Sequence, residues 1–382
     1  MKKINSKGFD YVNENLIFKI RKVMRYIKLY GISRTIIKVK GQYHMQKKFK
    51  DHPSFNISNH SKKNIAIVGC GNFAYSNIAY YLRKNFGDVI RVSMDKNIDR
   101  AASLFQDFNA DYYTDNFKKV IEDDNVELIY IVSNHASHAD YAIEAIKRGK
   151  FVHIEKPHVV NEDQLNELEK TLRKFNNFRV NLGFNRPGSK FGKKIFNELS
   201  SEKGTSMVNW FIAGHAIDEN HWYYKDEEGG RILGNLCHWT DFTLQLVDKK
   251  DRYPLKIIPT RFDLVDHDIV VNYIFGNGSI ASISFSAKGH VFEGVVEKLE
   301  IQKNNKLLSL DNFSKLEIHD NHKIKRFQGL RSHGHEENII RSFKMIKDDK
   351  LSLEKNYIIE TAKLFLQTKY SLENNTEITI NQ

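Results

Sequence analysis

Residues 65–74 read IAIVGCGNFA, and this stretch decides the fold class. Apolar, mostly β-branched side chains (Ile65, Ala66, Ile67, Val68) run into a glycine turn, and a helix-compatible segment follows to about Arg83. Strand, glycine turn and helix in that order open a dinucleotide-binding half-fold. The spacing has a chemical reason: Gly69 permits the tight turn, Gly71 lets backbone approach a pyrophosphate, and Ala74 is small enough for helix and strand to pack closely. Asn72 and Phe73 fall in the first helical turn, where unpaired N–H groups and the dipole favour an anion.

Working outward, a second strand-like run, Asp88 to Met94, ends at Asp95, 21 residues past Ala74. A carboxylate there can hydrogen-bond ribose hydroxyls and repel a 2′-phosphate, which favours NAD over NADP. The alternative is that Asp95 only starts a turn before the helix at Ile98. A third run, Glu127 to Ser133, completes β-α-β-α-β, with Ala139 to Arg148 as the next helix and Gly149 as its stop.

The chain has 382 residues, enough for two domains. With 41% hydrophobic and 28% charged residues it falls in the soluble globular class. Cys70 and Cys237 form no metal-ligand or C-x-x-C pattern, and so few cysteines suit a reducing cytosol. No metal is expected. The net charge of +12 is unevenly placed: residues 1–63 hold 16 Lys plus Arg against 3 Asp plus Glu, and the remainder is close to neutral. A basic arm on a neutral body argues against nucleic acid as the partner of the body.

In that arm (1–63), Leu16, Ile17, Ile20, Val23, Met24, Ile27 and Tyr30 recur at helical spacing, with Lys19, Arg21, Lys22, Arg25 and Lys28 between them. This predicts an amphipathic basic helix ending near Gly31. It is too interrupted to cross a membrane or to serve as a signal peptide. Three readings stay open: its apolar face docks on the chain's own body or a sister subunit, it binds an anionic membrane surface, or it binds nucleic acid. Residues 45–63 read as a linker.

After the first half-fold (64–157) comes Lys150 to Pro157, with a short strand, Phe151 to Ile154, and Glu155-Lys156-Pro157 at its carboxyl end. Ligands of an open α/β sheet lie at that end. Lys156 there can bind the oxygen of a carbinol or carbonyl and exchange its proton, or it is a surface lysine closing a strand. From 158 to 382 the pattern changes. Helices at Glu162 to Phe175 and Phe191 to Leu199 accompany strands at Phe178 to Phe184, Ser206 to Ala213, Lys256 to Asp266, Asp268 to Phe275, Ser279 to Ser286 and Glu297 to Lys303. This predicts a second, α+β domain with a largely antiparallel open sheet. Within it, GGRILGNLCHWTD (229–241) leads into a helix from Leu236 to Val247 that sets His238 and Asp241 one turn apart. Histidine is the natural proton carrier near neutrality and a neighbouring carboxylate can orient it; the alternative is a helix-packing histidine.

Taken together, VGCGNFA (68–74), Asp95, VSNHASH (132–138), AIEAIKRGKFVHIEKP (142–157), GFNR (183–186) and GGRILGNLCHWTD (229–241) resemble the Gfo/Idh/MocA family of NAD(P)-dependent oxidoreductases. The resemblance implies a Rossmann domain followed by an open-sheet domain whose sheet face builds homodimers or homotetramers. It carries over Lys156 as the family's lysine and His238 as its histidine. Ser133, Asn134, His138 and Glu155 would border the cofactor, and Asn185, Arg186, His221 and Trp222 are weaker substrate-pocket candidates. Two departures stand out: Gly234 occupies the position where many members carry Asp four residues before the histidine, leaving Asp241 as the substitute, and Asn134 replaces the usual proline.

The function implied is hydride transfer between NAD and a secondary alcohol or ketone of a sugar, with a nucleotide sugar of surface-polysaccharide synthesis as the expected substrate. Lys156 would bind the reacting oxygen, His238 exchange the proton, and Asp241 orient His238 or the substrate. The alternatives are a redox-neutral, glycosidase-like use of NAD and a non-enzymatic NAD- or sugar-binding protein. The expected location is the cytoplasm, with the membrane's inner face left open by the basic helix.

Overall fold

A computed structural model describes residues 14–57, 62–215, 217, 220–262, 268–289 and 293–381. The chain divides into two compact units, one of residues 32–185 and 335–362, the other of residues 1–31, 186–334 and 363–382.

The first unit is built on six parallel strands, β1 (Ile65–Val68), β2 (Ile90–Met94), β3 (Tyr112–Thr114), β4 (Leu128–Ile131), β5 (Phe151–Ile154) and β6 (Val180–Leu182). Their order is β3-β2-β1-β4-β5-β6, the doubly wound arrangement. β1, β2 and β4 are buried at every position, as expected of strands covered on both faces. The register aligns their carboxyl ends: Val68 lies opposite Met94 and Ile131, and Ile131 and Leu182 lie opposite Ile154. Gly69, Asp95, Val132, Glu155 and Gly183 therefore leave the sheet along one edge, beside the switch point where strand order reverses.

Local chemistry sets the helix ends. Asn97 caps Ile98–Phe108 by accepting from the Asp99 N–H at 3.1 Å, and Asn161 caps Glu162–Lys174 through the Gln164 N–H at 2.8 Å. That second helix has Glu162 and Asp163 in its first turn and Arg173 and Lys174 in its last, matching the dipole. The unit reaches past the expected 64–157 because β6 pairs with β5 and the helix His335–Lys344 returns to pack on it. Asn181 Nδ2 donates to Asn338 Oδ1 at 2.8 Å, and the Tyr130 hydroxyl donates to the Ile339 carbonyl at 2.9 Å.

A helix not expected from the sequence, Ile32–Gln46, also belongs to this unit. Of the expected linker 45–63, residues 45–46 end that helix and residues 58–61 lie outside the described residues; residues 47–57 run without helix or strand but are tied down, since Asp99 takes the Phe49 N–H, ion pairs with Lys48 and hydrogen bonds His52.

The second unit is organised on a nine-stranded sheet of β7 (Ser206–Ala213), β8 (Leu255–Phe262), β9 (Ile269–Ile274), β10 (Ile280–Ser286), β11 (Val296–Lys303), β12 (Lys306–Asp311), β13 (Lys315–Asp320), β14 (Lys323–Gln328) and β15 (Ile378–Ile380). Its order is β14-β13-β12-β11-β7-β10-β9-β8-β15, antiparallel except for the β7–β10 pair. Residues 263–267, the end of the strand expected to reach Asp266, lie outside the described residues. Burial alternates along β7, which exposes Met207, Asn209 and Phe211 and buries Val208, Trp210 and Ile212. The buried face receives the helix Cys237–Leu246: Trp210 Nε1 donates to Thr243 Oγ1 at 3.1 Å, and Phe242 meets Trp210 edge to face.

The amphipathic helix occupies Leu16–Tyr30 and ends on Gly31 at φ 84°, as expected. It is fastened to its own unit through its second half, where Arg25 pairs with Glu293 at 2.5 Å and the Leu29 carbonyl accepts from the Arg331 N–H at 3.0 Å.

Candidate functional site

In the first unit the glycine loop follows β1. Gly69 has φ 88°, and a Cβ there would lie 2.6 Å from the Ser133 backbone, so only glycine fits between the β1 and β4 ends. Beside Gly71 the space where a Cβ would point is open to 4 Å. The chain is helical from residue 72, with a π-helical segment at Ala74–Ala79, a feature frequent at functional sites. An open approach to a glycine at a helix N-terminus suits a pyrophosphate, and Asn72 and Phe73 supply first-turn N–H groups.

Asp95 does two things. Its Oδ1 accepts from the Asn97 N–H at 2.8 Å, starting the turn, and its Oδ2 accepts from the Cys70 N–H at 2.7 Å. The carboxylate is thereby fixed against the glycine loop, where a ribose would lie, so the turn and the ribose readings are compatible.

Opposite it, Ser133 and Asn134 are joined through Ser137, whose hydroxyl meets Ser133 Oγ at 2.8 Å and Asn134 Oδ1 at 2.7 Å. His138 is buried, with Nδ1 2.8 Å from the Pro157 carbonyl and Nε2 3.1 Å from the Ser133 carbonyl. Burial pushes its pKa down, so the ring is neutral near pH 7 and donates to one carbonyl at a time. It ties the loops after β4 and β5 together.

Glu155 is buried at the end of β5. Its Oε1 accepts from His153 Nε2 at 3.2 Å, its Oε2 from the Lys156 N–H at 3.3 Å, and His153 Nδ1 meets Ser342 Oγ at 2.7 Å. Gly183 leaves room for it, since a Cβ there would collide with Oε2. Lys156 follows, half-buried, before Pro157. His153, Ser342 and Gly183 orient Glu155 and were not singled out from sequence; the alternation of His153 and Glu155 in FVHIE is a signal that could have found the first of them.

In the second unit a π-helical turn, Ile232–Leu236, contains Gly234 and runs into Cys237–Leu246. His238 is 9% exposed and Asp241 fully buried. Trp239, Phe242 and Thr243 face the sheet, so His238, Asp241 and Gln245 form a separate stripe, with Gln245 Nε2 donating to Asp241 Oδ2 at 2.9 Å. Asn185, the last residue of the first unit's main segment, is buried.

Arg186 is engaged structurally: its Nε donates to Glu297 Oε2 at 2.9 Å, its Nη2 to Glu297 Oε1, and it lies 4.9 Å from the Trp239 ring centroid. His221 caps the short turn Trp222–Tyr224 by accepting the Tyr223 N–H at 3.2 Å, and its ring lies 5.5 Å from the half-exposed Trp222.

Residues 63–184 match the model of an oxidoreductase family with an NAD-binding Rossmann fold, Gfo/Idh/MocA. Over that stretch the chain resembles this family. Among curated relatives, the chain is 32% identical over 118 residues to Oxidoreductase P35 of Formosa agariphila, covering 30% of this chain and 36% of that protein. It is 28% identical over 150 residues to trans-1,2-dihydrobenzene-1,2-diol dehydrogenase of Xenopus tropicalis, covering 38% and 45%. The matches thus span less than half the length of these relatives. Among solved structures, levoglucosan dehydrogenase in complex with NADH and L-sorbose superposes with a TM-score of 0.72 at 14% identity, over 84% of this chain and 99% of that one. That likeness is one of fold and reaches beyond the matched Rossmann stretch.

Proposed function

We propose that the chain is an NAD-dependent dehydrogenase or reductase acting on a secondary alcohol or ketone of a sugar. The observation that carries it is the alignment of Gly69, Asp95, Glu155 and Lys156 on one sheet edge. The nicotinamide, when bound, supplies the hydride chemistry. Gly71, Asn72 and Phe73 hold the pyrophosphate and Asp95 the adenosine ribose, disfavouring NADP. Lys156 binds the reacting oxygen and steadies it as its proton is lost or gained, and His238 exchanges that proton with solvent. Asp241 orients His238 or a sugar hydroxyl, in place of the aspartate absent at Gly234. Relatives named as a diol dehydrogenase and a levoglucosan dehydrogenase support a polyhydroxylated substrate; a nucleotide sugar of polysaccharide synthesis is the narrower form of the reading.

Native mass spectrometry followed by absorbance in the NADH band during addition of a sugar and nucleotide-sugar panel tests this. Reduction of bound NAD by one panel member is the expected result. Bound NAD whose redox state no sugar changes would turn the reading toward the redox-neutral alternative.

The open face of the second unit's sheet, with Met207, Phe211 and Ile280 exposed, supports assembly of identical copies; a monomeric mass by light scattering would exclude it. The helix Leu16–Tyr30 exposes Ile17, Ile20 and Met24 beside Arg21 and Lys28 within the basic arm. That combination supports peripheral contact with an anionic membrane surface. No helix among the described residues is long and apolar enough to cross a membrane. Replacing the three exposed apolar residues with Glu in the full chain should abolish sedimentation with phosphatidylserine vesicles; unchanged sedimentation, or none by the parent, removes the idea.

A further inference from the structure

The helix Ile32–Gln46 precedes the family-matched stretch, yet it is built against the glycine loop. Its buried side carries Thr35, Ile37, Gly41 and His44. Arg34 donates to the Ser76 carbonyl and, at 2.7 Å, to Asn77 Oδ1. Gly41 comes so close to Asn72 that a Cβ would lie 3.2 Å from its Oδ1. His44 is 3% exposed and stacks on Tyr75 with ring centroids 4.4 Å apart. Its Nε2 lies 2.7 Å from the Cys70 carbonyl oxygen and its Nδ1 2.9 Å from Ser103 Oγ. A carbonyl only accepts, so Nε2 carries the hydrogen and Nδ1 takes the serine proton.

The carbonyl that His44 holds belongs to the peptide unit joining Cys70 to Gly71. That unit is trans, so its N–H points opposite to its C=O. With the carbonyl turned toward His44, the Gly71 N–H is turned away from it, and the space beside Gly71 is open. The other side of the same loop residue is fixed as well, because the Cys70 N–H is taken by Asp95. We infer that His44 is a positioning residue of the dinucleotide site: by holding the Cys70 carbonyl it aims the Gly71 N–H at the pyrophosphate. This rests on the reading that the loop at 69–74 binds a dinucleotide. It makes the helix Ile32–Gln46 a working part of the cofactor site.

The test is a binding titration of the full chain with NADH, ADP and adenosine. His44→Leu should weaken NADH and ADP about tenfold, the value of one hydrogen bond, and leave adenosine unchanged because adenosine has no phosphate. His44→Gln, whose amide N–H can reach the same carbonyl, should restore ADP binding to within about threefold of the parent. Parental ADP affinity in His44→Leu overturns the inference, as does a parallel loss of adenosine binding, which would mark a general packing role. If His44→Leu does not fold, Ser103→Ala replaces it, with about a threefold loss on ADP and none on adenosine expected and parental ADP affinity overturning. A parent that binds no NADH would instead sink the dinucleotide reading itself.

Discussion

Gly183 and Glu155 are matched to each other: the carboxylate of Glu155 occupies the space where a side chain at 183 would begin. Because β5 and β6 are in register, Gly183 follows Leu182 beside Ile154, and its N–H donates to the Ile154 carbonyl at 2.8 Å. A Gly183→Ala substitution must move Glu155 or the β6 end. Overpacking of this kind costs about 1–3 kcal/mol, so the urea midpoint should fall. NADH binding should weaken as well if Glu155 borders the cofactor. Unchanged binding with lowered stability would restrict Glu155 to a structural role.

Lys156 stands next to that ordered carboxylate. If it holds and steadies the reacting oxygen, Lys156→Ala should lower turnover by at least about a hundredfold. NADH affinity should change little, since the proposed phosphate and ribose contacts, Gly71 to Phe73 and Asp95, lie elsewhere on the edge. Near-normal turnover on the sugar identified by the panel would remove Lys156 from the chemistry.

Asp95 supplies the test of cofactor choice. Asp95→Asn removes the negative charge and keeps one of the two acceptor bonds, since its single amide oxygen takes either the Cys70 N–H or the Asn97 N–H. A charge pair at about 4 Å near a protein surface is worth about 1–4 kcal/mol. The preference for NADH over NADPH should therefore shrink about tenfold or more, read as the ratio of the two dissociation constants. A constant ratio would mean that the 2′-phosphate never approaches Asp95.

Much of this was legible because it rests on short-range patterns. The run ending at Val68 is uniformly apolar where the structure buries it, and Ser206–Ala213 alternates where one face is open. The helix Ile32–Gln46 was not legible because its pattern is inverted. Its buried side is Thr35, Ile37, Gly41 and His44, while Ile32, Ile36, Val39 and Tyr43 are exposed. The meander from β12 to β14 is rich in Lys, Asp, Glu and His, and its turns are signalled by asparagines: Asn304, Asn312 and Asn321 all have positive φ. The returning helix His335–Lys344 joins the first unit through Asn338 and Ser342, contacts that follow from tertiary packing and leave no local mark.

The pair Arg186–Glu297 is where a site candidate from sequence meets a structural use, and it carries a pH prediction. Glu297 is fully buried on β11, accepting from Arg186 and, at 3.3 Å, from Trp239 Nε1. Burial alone would push its carboxyl up, but the Arg186 charge and hydrogen bonds, helped by His333 and Trp239, outweigh burial and hold it below the ordinary value of 4.5. A carboxyl whose pKa is depressed by folding contributes stability that is fully present above the unfolded value and lost as pH falls through the folded one. The unfolding free energy of the parent should thus decline as pH drops below about 4.5, and Glu297→Gln should flatten that slope. Arg186→Met leaves a buried carboxylate without its cation, at a cost of about 3–5 kcal/mol at pH 7, whereas Arg186→Met with Glu297→Gln should recover most of the loss. Urea titrations of the four proteins at pH 4 and 7 read both effects. A double variant as unstable as Arg186→Met would show that Arg186 acts through its packing on Trp239 and not through Glu297.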